Sequence, residues 1–144
     1  MTPYALRQHI VRALAETLAP GGWRESGFVF GLMQTQEPSH HEHLSYTVGL
    51  PSSEVLPGNQ RTHVPWMTTV GVDVVCRIRP DAQVEDYDRA LRAEMQMVQA
   101  LASIKDVCQL PISVTEVQRN IIGDGTVLLL EITCQVPHPA PLDC

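Results

Sequence analysis

Near the start of the chain, apolar residues recur every four positions: Leu6, Ile10, Leu14 and Leu18, with Val11 beside them. Such spacing lays one stripe along a helix. Thr2 and Pro3 open it with a capping hydroxyl and a proline at the first helical position, and Pro20-Gly21-Gly22 closes it. Phe28 to Met33 is a short apolar strand candidate, and Leu44 to Leu50 alternates well enough to be a second. Between Leu50 and Trp66 stand Pro51, Pro57 and Pro65 with few large apolar side chains, so a long loop over 51–65 is expected.

From Trp66 the pattern changes to a period of two. Trp66, Thr68, Val70, Val72, Val74, Cys76 and Ile78 share one face of a long strand; Met67, Thr69, Gly71, Asp73, Val75, Arg77 and Arg79 share the other. A strand this long in a small domain is expected to overhang its sheet. Pro80-Asp81 ends it, and Asp81 is placed to cap a second helix whose first turn carries Glu85 and Asp86. Val84, Tyr87, Leu91, Met95, Val98 and Leu101 fall at spacings of three and four and predict its buried face, with Met95 and Met97 filling core.

Two further strand-like runs, Ile112 to Ile122 and Thr126 to Val136, flank Gly123-Asp124-Gly125, a hairpin turn by its glycines. The order is α-β-β-β-α-β-β, which predicts an α+β fold: a mostly antiparallel β-sheet packed with two amphipathic helices. Residues 1–136 are expected to form one domain, followed by a proline-rich tail over 137–144.

The 144 residues, 44% hydrophobic and 18% charged, suit one globular domain able to bury a core. The formal charge of −6 argues against a protein that grips nucleic acid through its phosphates. No run approaches a membrane span, and the N-terminus lacks the apolar core of a signal peptide, so no membrane is expected and the cytoplasm is the expected site of synthesis. Cys76, Cys108, Cys134 and Cys144 form no C-x-x-C pair, and buried small hydrophobes are the expectation for those in apolar runs.

Candidate chemistry is thin. His40, His41, Glu42 and His43 crowd together. On a strand, His41 and His43 would point the same way, and His63 could join them if the loop folded back, which keeps a small metal-dependent enzyme as one alternative. The cluster follows Pro38-Ser39 in a polar turn, where histidines are ordinarily solvated. A G-x-S-x-G elbow and a phosphate-cradling glycine loop are both absent from the sequence. No cofactor is expected.

The opening helix LRQHIVRALAETL, the long strand WMTTVGVDVVCRIRP, the helix DYDRALRAEMQMVQAL and the late strand LLLEITCQV together resemble the tail terminator family of long-tailed bacteriophages. The resemblance is one of element order, pattern and length, and covers most of the chain. It implies a structural virion protein that assembles as a hexameric ring, caps the tail tube, ends its polymerisation and joins the tail to the head connector. The implied partners are further copies of the chain, the tail tube protein and a head connector or head-completion protein, with DNA passing through the channel without specific binding. The implied location is the virion tail or neck, after assembly in the host cytoplasm. A head-completion or connector-binding neck protein is the other structural alternative.

A ring joins one patch to a different patch on the next subunit, and an overhanging strand with a long loop is a natural donor. Glu54, Arg61 and His63 are the expected polar contacts and Val55 and Leu56 the apolar anchor, with Trp66, Arg77 and Arg79 on the long strand completing the expected subunit or partner interface.

Overall fold

The computed structural model describes residues 3–25, 44–55, 64–104, 112–122 and 125–140. The first helix, α1, spans Pro3–Leu18, and its four-residue stripe is the buried one: Leu6, Ile10, Leu14 and Leu18 all lie in the core. The chain leaves it through a 3₁₀ turn at Ala19–Gly21. Gly22 then takes the left-handed conformation, at φ 83°, that an L side chain resists, and its N–H closes onto the Ala19 carbonyl.

Five strands follow: β1 (Arg24–Glu25), β2 (Ser45–Val55), β3 (Val64–Arg77), and, after the second helix α2 (Gln83–Ser103), β4 (Ser113–Ile122) and β5 (Val127–Ala140). They form one sheet in the order β1-β2-β3-β5-β4, antiparallel except for the short parallel pair β1–β2. The result is the expected α+β fold in the expected element order. The run 28–33, taken from sequence as the first strand, lies outside the described residues; the first described strand is β1 at Arg24–Glu25.

Proline misled the strand boundaries at two places. The expected loop over 51–65 is strand at both ends, since β2 continues through Pro51 to Val55 and β3 begins at Val64, with 56–63 outside the described residues. A register shift between Gly49 and Ser52 absorbs Pro51, whose missing N–H would otherwise break the ladder. Likewise the expected tail begins as strand, since β5 runs through Pro137 and Pro139 to Ala140 and pairs with β3 all the way to Val64. A proline nitrogen has no proton to give. Continuous pairing therefore places both nitrogens on the side of β5 away from β3, where β4 has already ended at the Ser113–Gln135 pair.

Both helices pack on one face of the sheet. Leu6, Ile10 and Leu14 of α1 and Ala90, Ala93, Met97, Ala100 and Leu101 of α2 form a single cluster with Tyr46, Val48, Val70, Val72, Val74, Leu128, Leu130 and Ile132. The buried face of α2 differs from the expected one. Val84 and Met95 are 77% and 62% exposed, Tyr87 is exposed at its edge, and Leu91 and Val98 are half-buried. Three alanines face inward instead, because small side chains let the helix axis lie close to the sheet and to α1, leaving the larger stripe on the flank. Asp81 caps nothing either: it sits in the 3₁₀ turn Pro80–Ala82, and the helix begins after Ala82 without a side-chain cap. Among the described residues no helix is long and apolar enough to cross a membrane.

Candidate subunit interface

The expected interface residues divide between the two ends of β3. Glu54 is exposed on β2, Val55 pairs with Trp66 across the β2–β3 ladder, and Trp66 pairs with His138 of β5. Leu56, Arg61 and His63 lie outside the described residues. This end of the sheet is an arm of three strands: β3 over 64–68 and β5 over 136–140 run on past the last pairing of β4, by about 16 Å at 3.3 Å per residue. The long strand does not overhang alone, contrary to the expectation from sequence: β5 pairs with it out to Val64 and β2 out to Trp66, and only β4 stops short. A hydroxyl pair at 2.9 Å, Ser53 Oγ with Thr68 Oγ1, joins β2 and β3 at the root of the arm.

Arg77 and Arg79 sit at the other end. Trp66 and Arg77 are eleven residues apart on one strand, about 36 Å, so the two groups cannot belong to one contact patch on a single subunit. Arg79 is committed within its own chain. Its Nε and Nη2 donate to the two carboxylate oxygens of Asp86 at 3.0 Å each, and its backbone N–H donates to Asp86 Oδ2 at 2.8 Å. Asp86 is buried in the first turn of α2. The Arg79 guanidinium and then its backbone N–H hold the Asp86 carboxyl down at about 2. Arg89 approaches the same carboxylate at 3.5 Å and Glu85 at 3.6 Å. Arg77, Arg79, Asp86 and Arg89 line an open cleft of about 340 Å³. Sequence reasoning placed Asp86 by the helix dipole alone; an arginine just before the helix start was the available signal for the pair.

Part of the face of the sheet away from the helices is buried too. Val75, Val127 and Leu129 form a second small cluster there, and Ser45, Thr47 and Asp73 are inaccessible beside it. Asp73 stands in a polar row across four strands, Thr47–Asp73–Glu131–Gln118. Among the described residues neither Asp73 oxygen, nor Thr47 Oγ1, has a hydrogen-bond partner. Burial, and then the charge of Glu131, push the Asp73 carboxyl up to about 7. The alternation of the strand predicted an outer face here, and gave no sign that the carboxyl would be enclosed.

Catalytic groups do not converge anywhere on the described surface. A cleft of about 510 Å³ between the end of α1 and α2 is lined by Thr17, Leu18, Pro20, Gly21, Trp23, Gln96, Gln99, Ala100 and Ser103, without a titratable side chain. The Thr17 and Ser103 hydroxyls are engaged with the Ala13 and Ala100 carbonyls. Cys76 and Cys134 are buried and unpaired, with their thiols pushed up to about 12 by burial, which disfavours the nucleophilic thiolate. Among the described residues no group of three His, Cys, Asp or Glu side chains could hold a metal. His41, His43 and His63 lie outside those residues, as do Cys108 and Cys144.

No protein-family model matches the chain, and no curated protein matches it. Among solved structures, a chain from the virion of a native gene transfer agent particle is similar over 96% of its own length and 96% of this chain, with a TM-score of 0.50 and 12% sequence identity. At that identity the likeness is one of fold: the two chains share the same α+β architecture from end to end.

Proposed function

We propose that this protein is a structural virion protein without catalytic activity, and specifically a tail terminator: a ring that caps the tail tube, ends its polymerisation and presents its other side to the head connector. The observation that carries the reading is the end-to-end fold likeness to a chain of a gene transfer agent virion, which agrees with the family resemblance drawn from element order and strand pattern. The distribution of contact features supports a ring. A three-stranded arm at one end of the sheet and an arginine cluster about 36 Å away at the other supply two different patches, which a head-to-tail assembly requires and a two-fold dimer does not. The acidic balance suits a channel that DNA traverses without being held.

The test uses the full chain together with its tail tube protein. Light scattering behind a sizing column at two concentrations is expected to give a mass near six subunits, and electron microscopy of tubes polymerised with the protein present is expected to show short tubes carrying a ring at one end. Tubes of unchanged length with bare ends would overturn the terminator assignment. The position in the particle separates it from a head-completion ring, which would bind the connector and leave tube length untouched.

A further inference from the structure

The polar row on the face away from the helices carries charge that the strands around it do not offset. Thr47, Asp73, Glu131 and Gln118 stand side by side on β2, β3, β5 and β4, with successive Cβ atoms about 5 Å apart. Asp73 is inaccessible, Thr47 is 1% exposed and Glu131 is half-buried. Among the described residues, both Asp73 oxygens and Thr47 Oγ1 are without a hydrogen-bond partner. Gln118 turns its amide to Glu116 Oε1, at 2.7 Å.

Neighbouring rows bring no positive charge either. On one side lie Ser45, Val75 and Leu129; on the other, Gly49 faces Gly71, which offers no side chain at all. Across β2, β3, β5 and β4, neither this row nor the two flanking it holds a Lys, Arg or His. Arg24 reaches the end of one flanking row, but from β1, two strands and one row from Asp73. Turning the Thr47 hydroxyl onto Asp73 would satisfy one oxygen and leave two facing carboxylates uncompensated. Buried charges in proteins are paired or coordinate a metal, and an unsatisfied buried acceptor calls for an ion or a water.

We infer that Asp73 and Glu131 bind a calcium ion between β3 and β5, with the Thr47 hydroxyl accepting a hydrogen bond from a water of its shell. Two carboxylates directly opposite each other repel when both are ionised, and a divalent ion between them turns that repulsion into attraction. Oxygen ligands alone select a hard cation over zinc or copper. Calcium accepts irregular carboxylate geometry, whereas magnesium demands a near-ideal octahedron and keeps several waters, for which an inaccessible carboxyl leaves little room. With two carboxylates, the affinity belongs to the weak range, Kd about 0.1–1 mM. The ion fastens β3 to β5 and is independent of the ring reading.

The test follows thermal unfolding of EDTA-stripped protein at pH 8, where the Asp73 carboxyl has lost its proton. Addition of CaCl2 to about 10 mM is expected to raise the midpoint by about 4–8 °C over NaCl at matched ionic strength. Equilibrium dialysis is expected to find one calcium per chain. Asp73→Asn and Glu131→Gln, each checked for folding by circular dichroism, are expected to lose the rise and the bound ion, while Glu54→Gln, at an exposed carboxylate of β2, keeps both. If Asp73→Asn does not fold, Glu131→Gln decides the matter, since its side chain is only half-buried. A wild type that calcium does not stabilise overturns the inference, and so does a rise that survives in either folded variant. A rise of equal size with MgCl2 overturns the choice of calcium.

Discussion

Replacing Asp73 with asparagine should remove a pH dependence of stability that the wild type displays across the neutral range. The side chain is inaccessible, its carboxyl is pushed from 3.8 to about 7, and the unfolded chain restores the ordinary value. Between those values the folded protein keeps a proton that the unfolded chain has released. Protons then bound are more numerous in the folded state, so unfolding free energy falls as pH rises. Three pH units at 1.36 kcal/mol each set the loss at about 4 kcal/mol between pH 4 and pH 7, a large fraction of the stability of a domain this size. Asparagine has the same shape and does not ionise. Urea unfolding at pH 4.5, 6 and 7.5 should show the wild-type midpoint declining steadily, with the variant flat by comparison and more stable at pH 7.5. The other titrating groups are common to both proteins and cancel in the difference. Equal slopes for the two would refute the argument that Asp73 is buried in its neutral form.

The Asp86 carboxyl moves the opposite way: held down at about 2 by Arg79, it contributes stability above 3.8 that is lost as pH falls toward 2. Asp86→Asn should therefore lower the thermal midpoint at pH 7, with a smaller difference from wild type at pH 2.5; a constant difference would show that the pair is not charge-assisted. Met97→Ala should cost about 2–5 kcal/mol through the cavity it leaves, whereas Met95→Ala, two residues away on the flank, should stay within about 0.5 kcal/mol. Equal costs in urea unfolding would contradict the placement of the two stripes. Gly22→Ala, forced to φ 83°, should cost about 1 kcal/mol by the same measurement.

Much of the fold could be read from the sequence because it rests on short-range periodicity. The four-residue recurrence of Leu6, Ile10, Leu14 and Leu18, and the alternation from Thr68 to Ile78, are direct images of one helix stripe and one strand face. Errors arose where burial depends on what lies opposite. In α2 the larger apolar residues form one stripe and the alanines another, and a reading weighted by side-chain size selected the flank over the face that the sheet and α1 had room for. Prolines 51, 137 and 139 looked like chain breaks, yet each is compatible with a strand when its nitrogen faces no partner, which depends on where neighbouring strands end. Of the expected interface, Glu54 and Arg77 are exposed at opposite ends of the sheet, while the partner of Arg79, seven residues later, was invisible to any strand-based reading.

The pairing of β3 with β5 has a kinetic consequence. Partners in that ladder are separated by 50 residues at Arg77–Val127 and by 76 at Val64–Ala140. β2 and β3 pair over a short separation, but the other backbone edge of β3 waits for the chain to traverse α2 and β4 before it is paired. Closing such distant pairs places the protein among slow folders, in the millisecond-to-second range, with an unpaired apolar strand during the delay. Pro137 and Pro139 act in the same interval: once β5 has docked, its far edge past β4 offers no N–H at those two positions to a passing strand, which limits runaway sheet growth.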